Sequence, residues 1–155
     1  MELFYSFPLS KQKQLIWDAI QPGSVIKLHC NFTKPPKEKR MVIVSTDPAI
    51  GIFLINSKIS NFVLINKALL QSQIPLANKN YSFIEHDSYL DCKDIFKDFS
   101  YAEIEKTLRN DYSRFLGKID NQLRDLIVNA CLGSATLEQK DILQIVKELN
   151  GKSFV

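Results

Sequence analysis

Two apolar stretches decide the fold of this chain: Met41-Val42-Ile43-Val44-Ser45 and Gly51-Ile52-Phe53-Leu54-Ile55-Asn56. Continuous apolar runs of this length, bounded by turn-forming residues, are typical of strands that are buried in the middle of a sheet. Asp47-Pro48 separates the two runs and favours a turn, because the residue before a proline is restricted to extended conformations. The connection is too short for a parallel crossover, so the two strands are predicted to be antiparallel neighbours.

Further strands are predicted on both sides of this pair. Residues 24–32 carry mostly alternating apolar side chains, which indicates a half-buried strand. Ile74-Pro75-Leu76 is expected to be an edge strand, where the missing N–H of proline is tolerated. Residues 59–71 fit a short helix, although part of the segment also fits a strand. A strand-like pattern resumes at Tyr89, after a run of polar residues.

The ends of the chain are predicted to be helical. Residues 9–20 carry an apolar stripe at helical spacing behind Ser10, a plausible N-cap. Ser100 and Asp120 each stand before a further amphipathic segment, and Ser100 has the spacing to a Glu that forms a capping box. Thr136 has the same spacing to a Gln before the last helix. The sequence therefore predicts an α+β domain spanning residues 1–155, in which a small antiparallel sheet is followed by helices.

Composition narrows the class of protein. The chain has 155 residues, of which 45% are hydrophobic and 24% charged, and these shares are ordinary for a globular protein. No apolar run is long enough to cross a bilayer, and the first residues lack the pattern of a secretory signal. We therefore expect a cytoplasmic protein with no membrane partner. The net charge of +3 is too small to indicate a nucleic-acid partner without a local concentration of basic residues.

The three cysteines argue for a reducing compartment. Cys30, Cys92 and Cys131 are odd in number and include no CxxC pair, so we expect buried thiols rather than a disulfide framework. Two of them, with His29 and His86, could in principle ligate zinc. Neighbouring side chains on a strand point to opposite faces, however, so His29 and Cys30 are not expected to hold one ion together. No metal and no cofactor are predicted.

Four consecutive polar residues, Glu85-His86-Asp87-Ser88, lie between two strand-like segments. One interpretation is a structural turn, because Asp and Ser side chains readily hydrogen-bond to the nearby backbone. The other is a functional site centred on His86, whose imidazole titrates closer to neutral pH than any other side chain. The sequence leaves both interpretations open.

Residues 33–40 are predicted to form a loop with two prolines and four basic side chains: Lys34, Lys37, Lys39 and Arg40. The loop either keeps a sheet edge solvated or contacts phosphates. Four aromatic residues near these charges could stack on bases: Phe32, Phe53, Phe83 and Tyr89. Phe32, Phe53 and Phe83 fall inside apolar strand patterns, however, and are expected in the core. Trp17 is expected to anchor the first helix by packing.

Taken as a series, four segments resemble the PemK/MazF toxin-like family: Gly23–Lys27, Lys37–Ser45, Ser88–Asp91 and Phe99–Ile104. Members of this family have a basic loop that leads into an apolar strand ending in Ser, a later strand with Ser, and a helix that opens with a Ser-containing motif. The resemblance covers roughly residues 22–117. Residues 118–155 form a helical extension outside the family pattern.

The resemblance implies an SH3-like barrel of antiparallel strands that forms a homodimer and is held in check by an antitoxin. It implies an endoribonuclease that cleaves single-stranded RNA without a metal and leaves a cyclic phosphate. The basic position of the family motif falls on Lys39, with Arg40 beside it, and Ser45 matches the polar residue after the strand. Lys34 and Lys37 complete the expected RNA contacts.

One departure from the family pattern bears on catalysis. Asp91 stands where catalytic members present an Arg, and an inverted charge cannot stabilise a phosphate in the same way. On this hypothesis Arg40 supplies the charge, His86 transfers the proton, and Asp91 lines the groove. The alternative is a catalytically inactive SH3-like module that binds a protein partner or RNA.

Overall fold

The computed structural model describes residues 2–154, and its centre is a curled antiparallel sheet of six strands that forms a half-barrel. The strands are β1 (Ser24–Cys30), β2 (Lys37–Ser45), β3 (Gly51–Asn56), β4 (Gln73–Leu76), β5 (Ser88–Phe96) and β6 (Phe115–Lys118). Their order across the sheet is β4-β5-β3-β2-β1-β6. The helices are α1 (Glu2–Ser6), α2 (Leu9–Ala19), α3 (Asn61–Leu64), α4 (Lys67–Leu70), α5 (Tyr101–Asn110), α6 (Asn121–Leu132) and α7 (Gln139–Asn150). The predicted α+β class is confirmed.

The two apolar runs are the central strands β2 and β3, and they pair antiparallel as predicted. Met41 lies opposite Leu54, and Ile43 lies opposite Ile52. Strand β4 is an edge of the sheet and contains Pro75, which confirms the edge assignment. The pairing of β3 with β5 shifts register between Ile52 and Leu54, and such irregularities bend a strand and curl the sheet.

Side chains alternate along β2 between two cores, one on each face of the sheet. Val42 and Val44 lie in a core with Phe53 and with the inner faces of α6 and α7. Met41 and Ile43 lie in the opposite core, with buried residues of α2 and α5. Both faces are therefore covered by helices, which explains why β2 and β3 are apolar on both sides. The two C-terminal helices pack on one face of the sheet.

Several boundaries differ from the sequence-based expectation. Residues 37–40 belong to β2 and not to a loop, because they continue the ladder with β1. Residues 59–71 contain two single-turn helices, α3 and α4, in place of one helix. Strand β6 was not predicted, since its four residues alternate weakly and include a glycine.

The predicted helix caps are partly correct. Ser100 forms the capping box with Glu103, and Asp120 accepts a hydrogen bond from the backbone N–H of Leu123. Ser10 is wrong as an N-cap, because the helix begins one residue earlier behind Pro8. Thr136 is wrong as well: Glu138 precedes the last helix, and the hydroxyl of Thr136 instead donates to the carbonyl oxygen of Lys93. Tertiary packing decided the start of that helix.

The three cysteines are free and buried, as predicted. Burial raises the pKa of Cys30 to about 11 and that of Cys131 to about 12, so both are protonated thiols near neutral pH. The prediction for Trp17 is wrong: its side chain is 56% exposed and does not anchor the core. Between residues 2 and 154, no helix is both long and apolar enough to cross a membrane.

Candidate functional site

The basic end of β2 carries most of the predicted site. Lys39 lies opposite Leu28 in the ladder, and Arg40 lies opposite Lys27. Because successive side chains on a strand point to opposite faces, Lys39 lies on the side of Met41 and Ile43, and Arg40 on the side of Val42. Two clefts meet at this end of the sheet: Arg40 lines one of them, and Lys39 borders both.

We name the cleft on the Arg40 side the histidine cleft, and its volume is about 170 Å³. Its polar lining includes Lys37, Lys39, Arg40, Glu85, His86 and Ser88. The Nη2 atom of Arg40 lies 3.0 Å from Oε1 of Glu85, and the arginine side chain is only 23% exposed. The guanidinium is held in place by Glu85, and its buried Nε–H group has no acceptor among the described residues.

His86 is exposed and oriented by its own turn. Its Nδ1 atom lies 3.2 Å from the carbonyl oxygen of Asp87 and 3.3 Å from the hydroxyl of Ser88. A carbonyl oxygen can only accept, so the contact with Asp87 is a hydrogen bond in the tautomer that carries its proton on Nδ1, and in that tautomer Nε2 is the unprotonated nitrogen. Ser88 donates to the carbonyl oxygen of His86 at 2.8 Å, which fixes the turn. Within residues 2–154, Nε2 has no hydrogen-bond partner.

We name the cleft on the Lys39 side the lysine groove, with a volume of about 570 Å³. It runs along the ends of β2, β3 and β5, and its polar lining includes Lys37, Lys39, Asn56, Lys58, Asp91 and Lys93. The ammonium group of Lys39 donates to the side-chain oxygen of Asn56. Burial, followed by the nearby charge of Lys37, lowers the pKa of Lys39. An anion in the groove would relieve both effects.

Asp91 belongs to the lysine groove and is already engaged there. Its Oδ1 atom accepts from the amide of Gln73 at 2.8 Å and from the backbone N–H of Lys93 at 3.0 Å. Its Oδ2 atom lies 3.1 Å from Nζ of Lys93. Burial lowers the pKa of Lys93, but its hydrogen bonds to Asp94 and Asp91 outweigh burial, so the pKa is raised. Asp91 thus organises the wall of the groove.

The structure therefore separates the three residues expected to act in catalysis. Arg40 and His86 share the histidine cleft, whereas Asp91 lies on the opposite face of the sheet. The face of Asp91 follows from its pairing with Leu54, because the neighbouring Leu90 lies in the core under α6 and α7.

Only some of the residues expected to contact RNA lie at the two clefts. Lys37 and Lys39 border both clefts. Lys34 is exposed in the loop before β2 and lines neither cleft. Ser45 is buried at the far end of β2, where its hydroxyl lies close to Gly51. Lys34 and Ser45 are therefore not part of the candidate site.

Sequence reasoning missed most of the lysine groove, including Asn56, Lys58, Gln73 and Lys93. They come from three separate segments that only the sheet brings together. It also missed the pairing of Glu85 with Arg40, which lies 45 residues earlier in the chain. Phe53 and Phe83 are core residues, as expected. Phe32 stacks on Phe96, with ring centroids 4.8 Å apart.

Within the described residues, no group of three or more His, Cys, Asp and Glu side chains is arranged to hold a metal ion. No protein-family model matches this chain, and no curated protein matches it. The assignment of a function rests on the two clefts and their chemistry.

Proposed function

We propose that this protein binds single-stranded RNA across the end of the sheet where the histidine cleft and the lysine groove meet. The observation that carries the proposal is that Lys37 and Lys39 border both clefts, so the two form one basic surface around the end of β2. Phosphates along a strand need such a row of cations, and the groove adds amides and hydroxyls that suit sugars and bases.

The lysines of this surface are available for phosphates. Lys37, Lys39 and Lys58 form no ion pair within residues 2–154, and only Lys93 is neutralised by carboxylates. Lys37 is exposed, and Lys58 is exposed on the opposite wall of the groove. A single strand is favoured over a duplex because the two clefts open on opposite faces of one end of the sheet, and a rigid double helix cannot follow such a path.

Binding is tested by titrating a short single-stranded RNA over a series of salt concentrations. The variant carries Lys39→Ala and Arg40→Ala, and the control carries Lys106→Ala and Lys147→Ala, two exposed lysines on α5 and α7. Each lost phosphate contact lowers the slope of log affinity against log salt by roughly 0.7, so the variant should lose about one to two units. The control should retain both affinity and slope. No binding at low salt, or an unchanged slope in the variant, would contradict RNA binding at this surface.

A second candidate function is cleavage of the bound RNA, as the resemblance to the PemK/MazF family implies. The observation in its favour is the orientation of His86, which in the tautomer protonated on Nδ1 presents an unprotonated Nε2 in the cleft that contains Arg40. Nε2 would take the proton of a ribose 2′-hydroxyl, whose oxygen attacks the adjacent phosphorus; the bond to the 5′-oxygen breaks, the 5′-oxygen takes a proton from water, and the products are a 2′,3′-cyclic phosphate and a 5′-hydroxyl. Arg40 would stabilise the charge on the phosphate oxygens. The curled antiparallel sheet is compatible with the SH3-like barrel of that family.

Cleavage is tested by incubating long single-stranded RNA with the protein in EDTA. The wild type is compared with His86→Ala, and the ends of any product are examined for a cyclic phosphate. Cleavage that is equally weak in both proteins would leave an RNA-binding module without catalytic activity. The resemblance that implies cleavage also implies a homodimer and an antitoxin partner. Sedimentation of the purified protein tests whether it forms a homodimer.

A further inference from the structure

A separate cleft of about 530 Å³ lies at the other end of β2, beyond Ser45. We name it the tryptophan cleft. Its walls are α2, the connection between β2 and β3, and the segment that leads into α5. Trp17 and Tyr101 form one side, and Pro48 contributes from the connection. Neither the histidine cleft nor the lysine groove shares a residue with it.

The aromatic side of the cleft is open to solvent. Trp17 is 56% exposed, and its ring centroid lies 5.9 Å from that of Tyr101 at an angle of 51°. An indole that is more than half exposed contributes little to folding, and aromatic residues of this kind are concentrated in binding sites. The faces of Trp and Tyr also attract cations.

The charges around the cleft are negative. Asp98 is exposed and forms no hydrogen bond or ion pair with the described residues. Glu103 uses Oε1 to accept from the backbone N–H of Ser100, which leaves Oε2 open. The one lysine in the lining, Lys97, is engaged by Asp141, with 2.7 Å between Nζ and Oδ1.

Three further basic groups lie near the cleft: Lys13 and Arg109 border a neighbouring cleft, and Nζ of Lys152 lies 3.4 Å from Oε1 of the lining residue Gln21. Arg109 borders a neighbouring cleft on the far side of Trp17, where it pairs with Glu105 at 3.5 Å. Phosphate would be repelled by Asp98 and Glu103, so the tryptophan cleft is unsuited to the RNA proposed for the other end of β2. Its aromatic and acidic character is complementary to a cation with a flat face.

We propose that the tryptophan cleft binds an arginine side chain in a peptide segment of a partner protein. The guanidinium would stack on Trp17 and Tyr101 while its N–H groups donate to the carboxylates of Asp98 and Glu103. Arginine fits better than lysine because its planar group stacks on aromatic rings and donates two parallel hydrogen bonds to a carboxylate. The site is independent of RNA binding.

Trp17 is the single tryptophan of the chain, so its fluorescence reports directly on this cleft. The probe is a synthetic peptide in which arginine alternates with glycine, added to the full-length protein. The matched control peptide has citrulline in place of arginine, which keeps the shape and removes the charge. We expect saturable quenching or a shift of the emission with the arginine peptide and at least fivefold weaker binding of the citrulline peptide. No response, or an equal response to both peptides, would overturn the proposal.

Two variants distinguish binding at the tryptophan cleft from nonspecific electrostatic attraction of a basic peptide to the protein. Asp98→Asn combined with Glu103→Gln removes both charges, and the new Gln still accepts the capping hydrogen bond of α5. This variant should weaken the arginine peptide roughly tenfold. Asp125→Asn removes a carboxylate that is 63% exposed on α6 and should leave affinity unchanged. Equal losses in the two variants would show that net charge alone attracts the peptide.

Trp17→Ala tests the aromatic contribution by calorimetry, since it removes the fluorescence signal. Because the side chain is exposed, the variant should fold with nearly unchanged stability. Affinity for the arginine peptide should fall roughly fivefold or more. Unchanged affinity would contradict the proposed stacking.

Discussion

Lys39 and Arg40 are neighbours in the chain, yet their side chains act on opposite faces of the sheet. Lys39 donates to Asn56 in the lysine groove, whereas Arg40 lies 3.0 Å from Glu85 in the histidine cleft. The two residues share no partner. Their contributions to RNA binding are therefore expected to be separate.

The first prediction is that Lys39→Ala and Arg40→Ala act additively on RNA affinity. Because the two side chains lie on opposite faces of the sheet and share no partner, we expect their losses in binding free energy to add within about 0.5 kcal/mol. Titrations of wild type, both single variants and the double variant at one salt concentration measure this. A double variant that binds no more weakly than the worse single variant would show that both residues contact the same phosphate.

The second prediction concerns Glu85, whose carboxylate pairs with Arg40 and is 76% exposed. Glu85→Gln should strengthen RNA binding, because it removes a negative charge from the cleft and frees the guanidinium for phosphate. The expected gain is about two- to fivefold at low salt, and it should shrink as salt is raised. Glu138→Gln, a change at an exposed residue next to α7, is the control and should have no effect. Weaker binding of Glu85→Gln would mean that Glu85 positions Arg40 for the ligand.

The third prediction concerns stability and the carboxylate of Glu148 on α7. It accepts hydrogen bonds from the backbone N–H groups of Thr46 and Asp47 and from the hydroxyl of Thr46, and so ties the turn after β2 to the C-terminal helix. Glu148→Ala should lower the free energy of unfolding by about 1–3 kcal/mol, as measured by urea denaturation. Lys147→Ala, next to it and exposed, should change stability by less than about 0.5 kcal/mol. Equal stability of the two variants would contradict a structural role for this contact.

The fourth prediction is a pH dependence that arises from Glu38. The hydrogen bond from Arg114, at 2.6 Å, lowers the pKa of Glu38 below its ordinary value. A carboxyl whose folded-state pKa is lowered stabilises the protein above its unfolded-state pKa of about 4.3, and this stabilisation is lost as pH falls through the folded-state pKa. The side chain is 41% exposed, so the effect is at most about 1 kcal/mol.

Urea denaturation of wild type and Glu38→Gln at pH 7, 5 and 3 measures this dependence. The wild type should be the more stable protein at pH 7 and 5, and the difference should narrow by pH 3. A difference that is constant over this range would show that the ion pair with Arg114 contributes nothing through its charge.

The order of the elements follows from local patterns in the sequence. The apolar runs of β2 and β3 and the short connection between them require antiparallel strands at the centre of a sheet, and Pro75 places its strand at an edge. The helix that begins after Ser100 is encoded by a capping box that needs only residues three apart. Such patterns can be recognised in the sequence because the interacting groups are close along the chain.

What only the tertiary structure decided is which of these residues meet. The sequence by itself determined that three of the four residues 37–40 are basic. Pairing with β1 makes this segment part of a strand and places the side chains of Lys39 and Arg40 on opposite faces of the sheet. The partner of Arg40 is Glu85, and Lys58 and Lys93 complete the groove beside Lys39. These contacts depend on strand register between distant segments, and register is set by the packing of both cores rather than by neighbouring residues.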